Sequence, residues 1–235
     1  MIRDVDILIP SYNKKDSINQ TLTQIENVLF QEISHYNFNL ILIIDGDDGS
    51  VSLLDQNRRF PLKVIVNDEN KGKGFSLKKG FNNSFSEIVV FFDADLDINP
   101  DAILLQLNKI GNNQSISGAV GAKNLAESEV LYPLIRRVYS SAFRLVVKCL
   151  FSTDILDSQT GVKSFRRLDI DEILNTCYQD GFIFDLELMI LLIRNGKTIE
   201  YTPVTIQHQY NSSIKFLTPL IIFFDLLELR RKISI

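Results

Sequence analysis

Only two of the 235 residues are cysteines, Cys149 and Cys177, and they do not form a CxxC pair. Two cysteines cannot build a disulfide framework or a zinc finger, and such a low number is typical of proteins in a reducing compartment. Long apolar runs are also lacking. The longest uncharged apolar stretch, Phe216 to Phe224, has nine residues, whereas a membrane-spanning helix needs about 20. We therefore expect no disulfide scaffold, no metal finger and no transmembrane segment.

Signals for targeting and for disorder are equally scarce. The first residues run into a strand-like segment, Val5 to Ile9, without the apolar stretch and cleavage site of a signal peptide, so we expect a start in the cytosol. The chain is 45% hydrophobic and 23% charged and has no repeat, low-complexity tract or flexible linker. It predicts a single globular domain over 1–235, with a first half over 1–122 and a second half over 123–235.

The charge is distributed unevenly. The formal net charge of −4 argues against a general nucleic-acid binder. It divides into −5 for residues 1–122, +4 for 123–167 and −3 for 168–235. The middle segment is therefore the basic part of an otherwise acidic chain.

Strand-length apolar runs alternate with helical patterns in the first half. This βαβα order predicts an α/β fold with a mostly parallel central sheet flanked by helices. Ligands of such sheets bind beyond the carboxyl ends of the strands. The predicted strands are Val5 to Ile9, Leu40 to Ile44, Leu62 to Val66, Ile88 to Phe92 and Ile116 to Gly121, and the predicted helices are Ser17 to Phe30, Val51 to Asn57, Gly74 to Ser84 and Pro100 to Ile110.

The second half is expected to form helices with apolar and basic side chains. We predict an amphipathic helix at Tyr132 to Phe151, a turn-rich segment at Asp157 to Lys163, a helix at Asp185 to Arg194 and a helical tail at Ile214 to Ile235. Both the first helix and the tail could pack on the core or lie at a lipid headgroup surface. The apolar positions are Leu134, Val138, Ala142, Leu145 and Cys149 in the first helix, and Phe216, Leu220, Phe223, Phe224 and Leu227 in the tail.

Three carboxylates follow the fourth predicted strand, in the run Asp93-Ala94-Asp95-Leu96-Asp97. Charges of one sign are costly together unless a cation lies among them, and Mg²⁺ usually shares carboxylate ligands with substrate phosphates. The run predicts either a site for a metal-bound nucleoside diphosphate or a solvated acidic turn that caps the next helix. Its position after an apolar strand in a βαβ series favours the first interpretation.

Two further loops follow strands. Asp45-Gly46-Asp47-Asp48-Gly49-Ser50 could place a carboxylate against a nucleotide base or ribose, or could be a turn with Ser50 as a helix N-cap. Asn70-Lys71-Gly72-Lys73-Gly74 offers backbone N–H groups and lysine charge at a helix N-terminus, which is typical of anion binding. It is not a Walker A motif.

These segments, in this order, resemble the inverting family 2 glycosyltransferases. They include Ile9-Pro10-Ser11-Tyr12-Asn13, Asp157 to Phe165 and Phe184 to Leu188, besides the three loops above. The chain is most similar to the group of dolichyl-phosphate glucosyltransferases and polyprenyl-phosphate mannosyltransferases, because the Asp-x-Gln-x-Gly-x-Lys segment separates that group from other members of the family.

The resemblance implies a GT-A fold, which is Rossmann-like, and a metal-dependent, inverting hexosyltransferase. The implied donor is a nucleotide sugar, UDP-glucose or GDP-mannose, and the implied cofactor is Mg²⁺ or Mn²⁺. The implied acceptor is a polyprenyl or dolichyl phosphate. We expect a peripheral protein at the cytoplasmic face of a membrane, attached directly or through a separate transmembrane partner, and no nucleic-acid partner.

The resemblance also assigns residues. It implies metal binding by Asp95 and Asp97, and nucleotide-sugar binding by Pro10, Tyr12, Asn13, Asp45, Asp47, Lys73, Asp93, Ala94 and Asp95. The catalytic candidates are Asp93, Asp95, Asp157, Gln159 and Glu187. Three positions depart from the family pattern: Lys14 replaces an acidic residue, Asp45-Gly46 adds a second register for the base-binding Asp, and Lys123 replaces an Arg. Lysine can also bind a phosphate, although it lacks the bidentate geometry of arginine.

Transfer to a lipid phosphate needs no general base, since the acceptor oxygen is already anionic at neutral pH. It needs cations that hold the two phosphate-bearing substrates and stabilise the leaving diphosphate. The candidates for the acceptor phosphate are Lys123, Arg136, Arg137 and Lys163, which otherwise would form a solvated cationic surface.

Two alternatives stay open. A family 2 enzyme acting on a soluble glycan or protein hydroxyl would need a general base, with Asp157 or Glu187 as candidates. A non-catalytic nucleotide-sugar-binding membrane protein would follow if the departures near Lys14 and Asp45 had destroyed the donor site. His35 and His208 show no ligand spacing and are expected to be structural.

Overall fold

The computed structural model describes residues 2–131, 134–207 and 218–233, except for the side chains of 131, 134–139, 207 and 218–221. Helices and strands alternate along most of the chain. The strands are β1 (Arg3–Ser11), β2 (Tyr36–Asp45), β3 (Leu62–Asn67), β4 (Ile88–Phe92), β5 (Gly118–Ala122), β6 (Glu129–Leu131), β7 (Val162–Arg166), β8 (Ile199–Pro203) and β9 (Thr205–Gln207), and the helices are α1 (Ile18–Leu29), α2 (Lys73–Asn82), α3 (Asp101–Asn112), α4 (Leu134–Phe151), α5 (Arg167–Thr176), α6 (Phe184–Arg194) and α7 (Thr218–Ile233).

The central sheet contains seven strands in the order β3-β2-β1-β4-β7-β5-β8. All neighbours in it are parallel except β7, which runs antiparallel to both β4 and β5. A separate parallel pair joins β6 and β9. The prediction of an α/β fold with a mostly parallel sheet is confirmed.

The five predicted strands and most predicted helices are present within a few residues of their expected limits. The helix predicted at Val51 to Asn57 is wrong, because the chain there makes only a short 3₁₀ turn, Ser50–Leu53. The segment predicted to be a turn up to Lys163 ends instead in β7, which begins at Val162. The sequence of β7, Val162-Lys163-Ser164-Phe165-Arg166, is neither continuously apolar nor strictly alternating, and its long-range pairing with β4 and β5 cannot be seen in that local pattern.

Each face of the sheet is covered by helices, so the inner strands β1, β2 and β4 are largely buried on both sides, whereas the edge strands β3 and β8 are partly exposed. Side chains of α1 and α3, such as Ile25 and Leu107, pack with Ile7 and Ile9 on one face. Side chains of α2, α5 and α6 pack with Leu8 and Phe91 on the other. Burial on both faces explains why β1, β2 and β4 contain continuous apolar runs instead of alternating apolar and polar residues.

Helices α4 and α7 contact each other, and both pack on the second face of the sheet. Their buried residues are Val147 and Phe151 in α4 and Leu226 and Leu229 in α7. Of the apolar positions predicted as candidates for core or lipid contact, those with described side chains lie outside the core: Ala142, Leu145, Cys149, Phe223, Phe224 and Leu227 are all exposed. Among the described residues, no helix combines the length and apolarity needed to cross a bilayer.

A buried carboxylate joins β1 to the start of β4. Asp6 is 4% exposed and accepts hydrogen bonds from the backbone N–H groups of Phe85 and Ser86, at 2.9 and 3.1 Å, and from Ser86 Oγ at 2.6 Å. Asn39 of β2 donates a further hydrogen bond at 3.0 Å. Burial opposes ionisation of Asp6, but these hydrogen bonds outweigh it and hold the pKa of the carboxyl below its usual value of 3.8.

We expect Asp6→Ala to lower the free energy of unfolding at pH 7 by about 3 kcal/mol, because it leaves several buried donors without a partner. The folded pKa of Asp6 is depressed, so its stabilisation is complete above pH 3.8 and is lost as the pH falls through the folded pKa. Urea unfolding at pH 7 and below pH 3.8 measures both effects. Asp4→Ala, at an exposed site on the same strand, is the control, and an equal loss in the two variants would contradict the assignment.

Candidate active site

The carboxyl ends of β1, β2 and β4 meet at one edge of the sheet and border a cavity of about 210 Å³. Five of its ten lining residues carry a charge, which suits a site for a charged ligand. The lining residues are Pro10, Ser11, Tyr12, Lys14, Asp45, Lys73, Ser76, Asp93, Ala94 and Asp95.

A second hollow, about 410 Å³ in volume, lies near the start of β1 and β2. It is larger, but its walls are mostly aromatic and aliphatic, and its charged side chain, Asp4, accepts a hydrogen bond from Asn37 Nδ2. The chemistry therefore favours the smaller cavity at the carboxyl ends of the strands, where sequence reasoning placed the site.

Asp45 fixes the backbone that leads into α2. Its carboxylate accepts hydrogen bonds from the N–H groups of Lys71 and Gly72, at 2.9 and 2.8 Å, and from Asn67 Nδ2 at 2.8 Å. Gly72 has a φ of 99°, and a Cβ there would lie 2.3 Å from the carbonyl oxygen of Asp180, so only glycine fits. Asp45 thus positions Lys73 as well as lining the cavity.

The neighbouring carboxylates Asp47 and Asp48 shape the turn after β2. Asp48 accepts hydrogen bonds from the backbone N–H groups of Lys14 and Ser50, at 3.2 and 3.0 Å, and from Ser50 Oγ. These bonds outweigh burial and hold the pKa of Asp48 below its usual value. Asp47 is exposed and accepts from Gly49 N–H at 2.9 Å. Neither residue lines the cavity, and nucleotide binding by Asp47 stays a prediction.

Lys73 lies between two carboxylates beside the cavity. Its Nζ is 2.7 Å from Asp93 Oδ1 and 2.9 Å from Asp185 Oδ2. Burial alone would lower the pKa of Lys73, but the two carboxylates raise it above its usual value. Burial also raises the pKa of Asp93, an effect that the charge of Lys73 only partly offsets. The ammonium is therefore firmly charged and bound to acidic partners.

The Asp157 to Lys163 segment lies beside this ion pair. The N–H of Asp93 donates to the carbonyl oxygen of Gly161 at 2.8 Å. A Cβ at Gly161 would lie 2.5 Å from Asp93 Oδ2, closer than real Cβ atoms approach. Glycine at this position is therefore what lets the segment pass directly beside the Asp93 carboxylate.

Other candidates from this segment and from α6 bind protein groups. Asp157 accepts from the backbone N–H groups of Lys123 and Gln159, at 3.1 and 3.0 Å, and lies 3.4 Å from Lys123 Nζ. Glu187 is fully buried and accepts from the N–H groups of Tyr178 and Gln179, at 3.2 and 2.8 Å. Burial raises the pKa of Glu187. The structure gives both carboxylates a part in holding loops, and it keeps Glu187 away from solvent.

The expected acceptor residues fall in different environments. Lys163 is 1% exposed, and its Nζ lies 2.8 Å from Asp185 Oδ1 and 2.5 Å from the carbonyl oxygen of Thr160. Lys163 is therefore buried and already paired, and acceptor binding by Lys163 stays a prediction. Lys123 is partly exposed at the end of β5. Arg136 and Arg137 belong to α4, but their side chains lie outside the described residues, as does all of His208.

The donor set fits a divalent ion that is shared with a substrate. Asp95 is exposed, lines the cavity and accepts a hydrogen bond from Asp97 N–H at 3.2 Å. The intervening Leu96 has a φ of 57°, a strained conformation that turns the chain between the two carboxylates. Among the described residues, no three His, Cys, Asp or Glu side chains gather as a complete metal site. Mg²⁺ commonly binds one or two carboxylates and completes its shell with substrate phosphates and water.

The buried partner Asp185 was not singled out from the sequence. It lies in the Phe184 to Leu188 motif, where Glu187 was the candidate instead. A usable signal was present: Lys163 and Asp185 carry opposite charges directly beside the apolar residues Val162 and Phe184, and buried charges are normally paired.

Residues 6–169 match the family described as "Glycosyl transferase family 2". The chain belongs to this family. It is 27% identical over 223 residues to the dolichyl-phosphate beta-glucosyltransferase of Saccharomyces cerevisiae, which covers 86% of this chain and 66% of that protein. It is 24% identical over 192 residues to the dolichol-phosphate mannosyltransferase of Pyrococcus furiosus, covering 79% of this chain and 52% of that one. With the glycosyltransferase AglD of Haloferax volcanii included, it spans 32 to 66% of the length of such relatives.

Solved structures share the fold. The glucosyl-3-phosphoglycerate synthase of Mycobacterium tuberculosis, in complex with UDP, has a TM-score of 0.71 at 15% identity and covers 97% of this chain and 80% of its own. A mannosyltransferase of Pyrobaculum calidifontis, in complex with GDP-Man and Mn²⁺, has a TM-score of 0.64 at 15% identity and covers 100% and 64%. The expected GT-A fold is confirmed.

We expect Gly161→Ala to lower the free energy of unfolding by about 2 kcal/mol, because the added Cβ would force the Asp93 carboxylate from its place. Gly181→Ala is the matched control, since a Cβ there meets nothing within 4 Å and its φ is not positive. We expect the control to change stability by less than about 0.5 kcal/mol. Chemical unfolding of the three proteins measures the difference, and equal stability of the two variants would contradict the close contact at Asp93.

Proposed function

We propose that this glycosyltransferase transfers a hexose, with inversion, from a nucleotide sugar to a polyprenyl or dolichyl phosphate, and that it requires Mg²⁺ or Mn²⁺. The observation that carries the proposal is the placement of Lys73, Asp93 and Asp95 around one cavity at the carboxyl ends of the strands. The names of the yeast and Pyrococcus relatives support the acceptor class. The UDP, GDP-Man and Mn²⁺ in the similar solved structures support the donor class and the metal.

The donor would occupy the cavity. Pro10, Tyr12 and Ala94 offer apolar walls for the base and ribose, and the Lys73 ammonium offers a charge for the diphosphate. Asp95, with Asp97 next to it, would hold the metal ion, whose role is to neutralise charge on the leaving diphosphate. Roles for Asn13 and Asp47 would require these residues to move towards the donor, since neither lines the cavity.

The acceptor phosphate supplies its own nucleophile. One anionic oxygen would attack the anomeric carbon of the sugar from the face opposite the leaving group. The new C–O bond to the lipid phosphate forms as the C–O bond to the nucleoside diphosphate breaks, and the diphosphate leaves with the electron pair. Lys123, Arg136 and Arg137 would hold the acceptor, and Gln159 would orient it or the sugar.

A hydroxyl acceptor is less well served by this site. It requires a general base, and the two carboxylates considered for that role, Asp157 and Glu187, accept hydrogen bonds from backbone N–H groups. Neither is set to collect a proton from a substrate hydroxyl. This observation favours an acceptor that is ionised before it binds.

The expected activity is transfer of labelled sugar from UDP-glucose or GDP-mannose to a polyprenyl phosphate in detergent, dependent on Mg²⁺ or Mn²⁺. We expect Asp95→Asn to reduce the rate by about 100-fold or more, because the metal would lose one of its two carboxylate ligands, while circular dichroism shows an intact fold. Asp171→Asn, at an exposed position in α5, is the control. Wild-type turnover in Asp95→Asn would refute the metal assignment, and transfer only to soluble hydroxyls would refute the lipid acceptor.

We also propose that the exposed apolar side chains of α4 and α7 contact the membrane that holds the acceptor. Leu145 is 64% exposed, Phe224 is 66% exposed, and Phe223 and Leu227 are also exposed. Arg231 and Lys148 are exposed on the same two helices. Apolar insertion beside basic side chains is the usual basis of reversible attachment to anionic surfaces.

We expect Phe223→Ser combined with Phe224→Ser to weaken co-sedimentation with anionic liposomes at low salt, because burial of two aromatic rings in the headgroup region is lost. Nucleotide binding should stay unchanged, since no described side chain of α7 lines the cavity. Phe85→Ser is the matched control: Phe85 is 84% exposed but precedes β4, at the opposite edge of the sheet. Equal liposome binding by all three proteins would contradict the proposed surface.

A further inference from the structure

Four charged side chains form an unbroken line from the cavity into the core. Asp93, at the cavity, contacts Lys73; Lys73 contacts Asp185; and Asp185 contacts Lys163, with N–O distances of 2.7, 2.9 and 2.8 Å. Exposure falls along the line, from 31% at Asp93 and 24% at Lys73 to 3% at Asp185 and 1% at Lys163. Two cations and two anions make the group neutral as a whole.

The inner half of this line is expensive to bury. Removing two charges from water costs several kcal/mol per ion, and an apolar pair of similar size is often as stable or more stable. Lys163 and Asp185 also lie in fully buried stretches, in β7 and in the first turn of α6. Stability alone therefore does not account for the pair.

The two oxygens of Asp185 have different partners. Oδ1 contacts Lys163, and Oδ2 contacts Lys73. Lys163 is held in turn by the Thr160 carbonyl oxygen, within the segment that passes beside Asp93. Asp185 is thus fixed at one oxygen by the core and presents the other to Lys73.

Lys73, by contrast, has a partner that it must release. While the ammonium contacts Asp93 Oδ1, that oxygen is not available to a ligand, and the ammonium charge is shared between two carboxylates. A diphosphate entering the cavity would compete with Asp93 for Lys73. If Asp93 were its only anchor, Lys73 would lose its position on changing partners.

We infer that Asp185, fixed by Lys163, is a positioning residue that holds Lys73 at the cavity while Lys73 exchanges Asp93 for the donor diphosphate. The inference rests on the proposed function, because it takes a nucleoside diphosphate as the ligand. The exchange frees Asp93 for the ribose or the sugar in the same step that neutralises the diphosphate. The positive charge of Lys163 compensates the negative charge of Asp185. Asp185 therefore does not repel the phosphates that Lys73 would bind.

The test compares binding of a nucleoside diphosphate with binding of its nucleoside. The variant carries Lys163→Met and Asp185→Asn together, which removes both inner charges and leaves neither buried charge unpaired. The control carries Lys197→Met and Asp169→Asn, which removes another Lys–Asp pair, with an N–O distance of 2.7 Å, from α5 and the segment before β8. Calorimetry with UDP and uridine, and with GDP and guanosine, in Mg²⁺ gives the affinities.

We expect the double variant to bind the diphosphate about tenfold more weakly, while its affinity for the nucleoside stays within about twofold, because only the diphosphate depends on Lys73. The control should keep both affinities. The inference is overturned if the ratio of diphosphate affinity to nucleoside affinity is the same in the double variant as in the wild type. That holds whether both affinities are unchanged or both fall by the same factor, which would indicate general damage. If the double variant does not fold, Asp185→Asn alone is compared by the same ratio. If the wild type binds neither diphosphate, the proposed function itself fails.

Discussion

Repulsion among carboxylates at one edge of the sheet is the constraint on which the site depends. Parallel strands bring their carboxyl ends to the same edge, and here Asp45, Asp93 and Asp95 all line one cavity. Each is stabilised differently: Asp45 accepts backbone N–H groups, Asp93 contacts the Lys73 ammonium, and Asp95 is exposed to solvent. The N–H groups of Lys71 and Gly72 bind Asp45, and the ammonium of Lys73 binds Asp93. The loop that follows β3 therefore offsets the repulsion between carboxylates at this edge of the sheet.

Local sequence patterns predicted the first half of the fold, in which strands β1, β3 and β4 are each followed by a helix. Strands β1, β2 and β4 contain continuous apolar runs, β3 is apolar apart from Lys63 and Asn67, and the residues after these strands include most of the cavity wall. The site could be located because parallel order implies a common edge. Strand β7 was missed because it enters the sheet antiparallel between β4 and β5, far from both in sequence, and its local sequence, which mixes polar and apolar residues, gives no sign of that position.

The same limit applies to individual side chains. Residue type and spacing identified Lys73 and Asp93, but they did not identify Asp185, which reaches Lys73 only because α6 packs over the start of α2. Gly74 illustrates how close this packing is: a Cβ there would lie 2.6 Å from Phe184 Cβ. Likewise, the apolar positions of α4 and α7 permitted core or surface locations, and only the packed structure shows that Leu145 and Phe224 are exposed. Amphipathic periodicity defines faces of a helix, whereas the neighbours decide which face is buried.

The partners of the carboxylates near the site indicate which kind of acceptor the site could serve. Asp157 and Glu187 hold backbone N–H groups, and Asp93 contacts a lysine, so these three carboxylates already have partners in the folded chain. A hydroxyl acceptor would need one of them to give up its partner and take a proton. A phosphate acceptor needs only positive charge and correct placement, and the chain's one basic segment, 123–167, contains Lys123 at the end of β5 and Lys148, which is exposed on α4. The distribution of charge therefore agrees with the proposed acceptor, which brings its own anionic oxygen. Helix α4, which carries exposed apolar side chains, belongs to this basic segment and contacts α7.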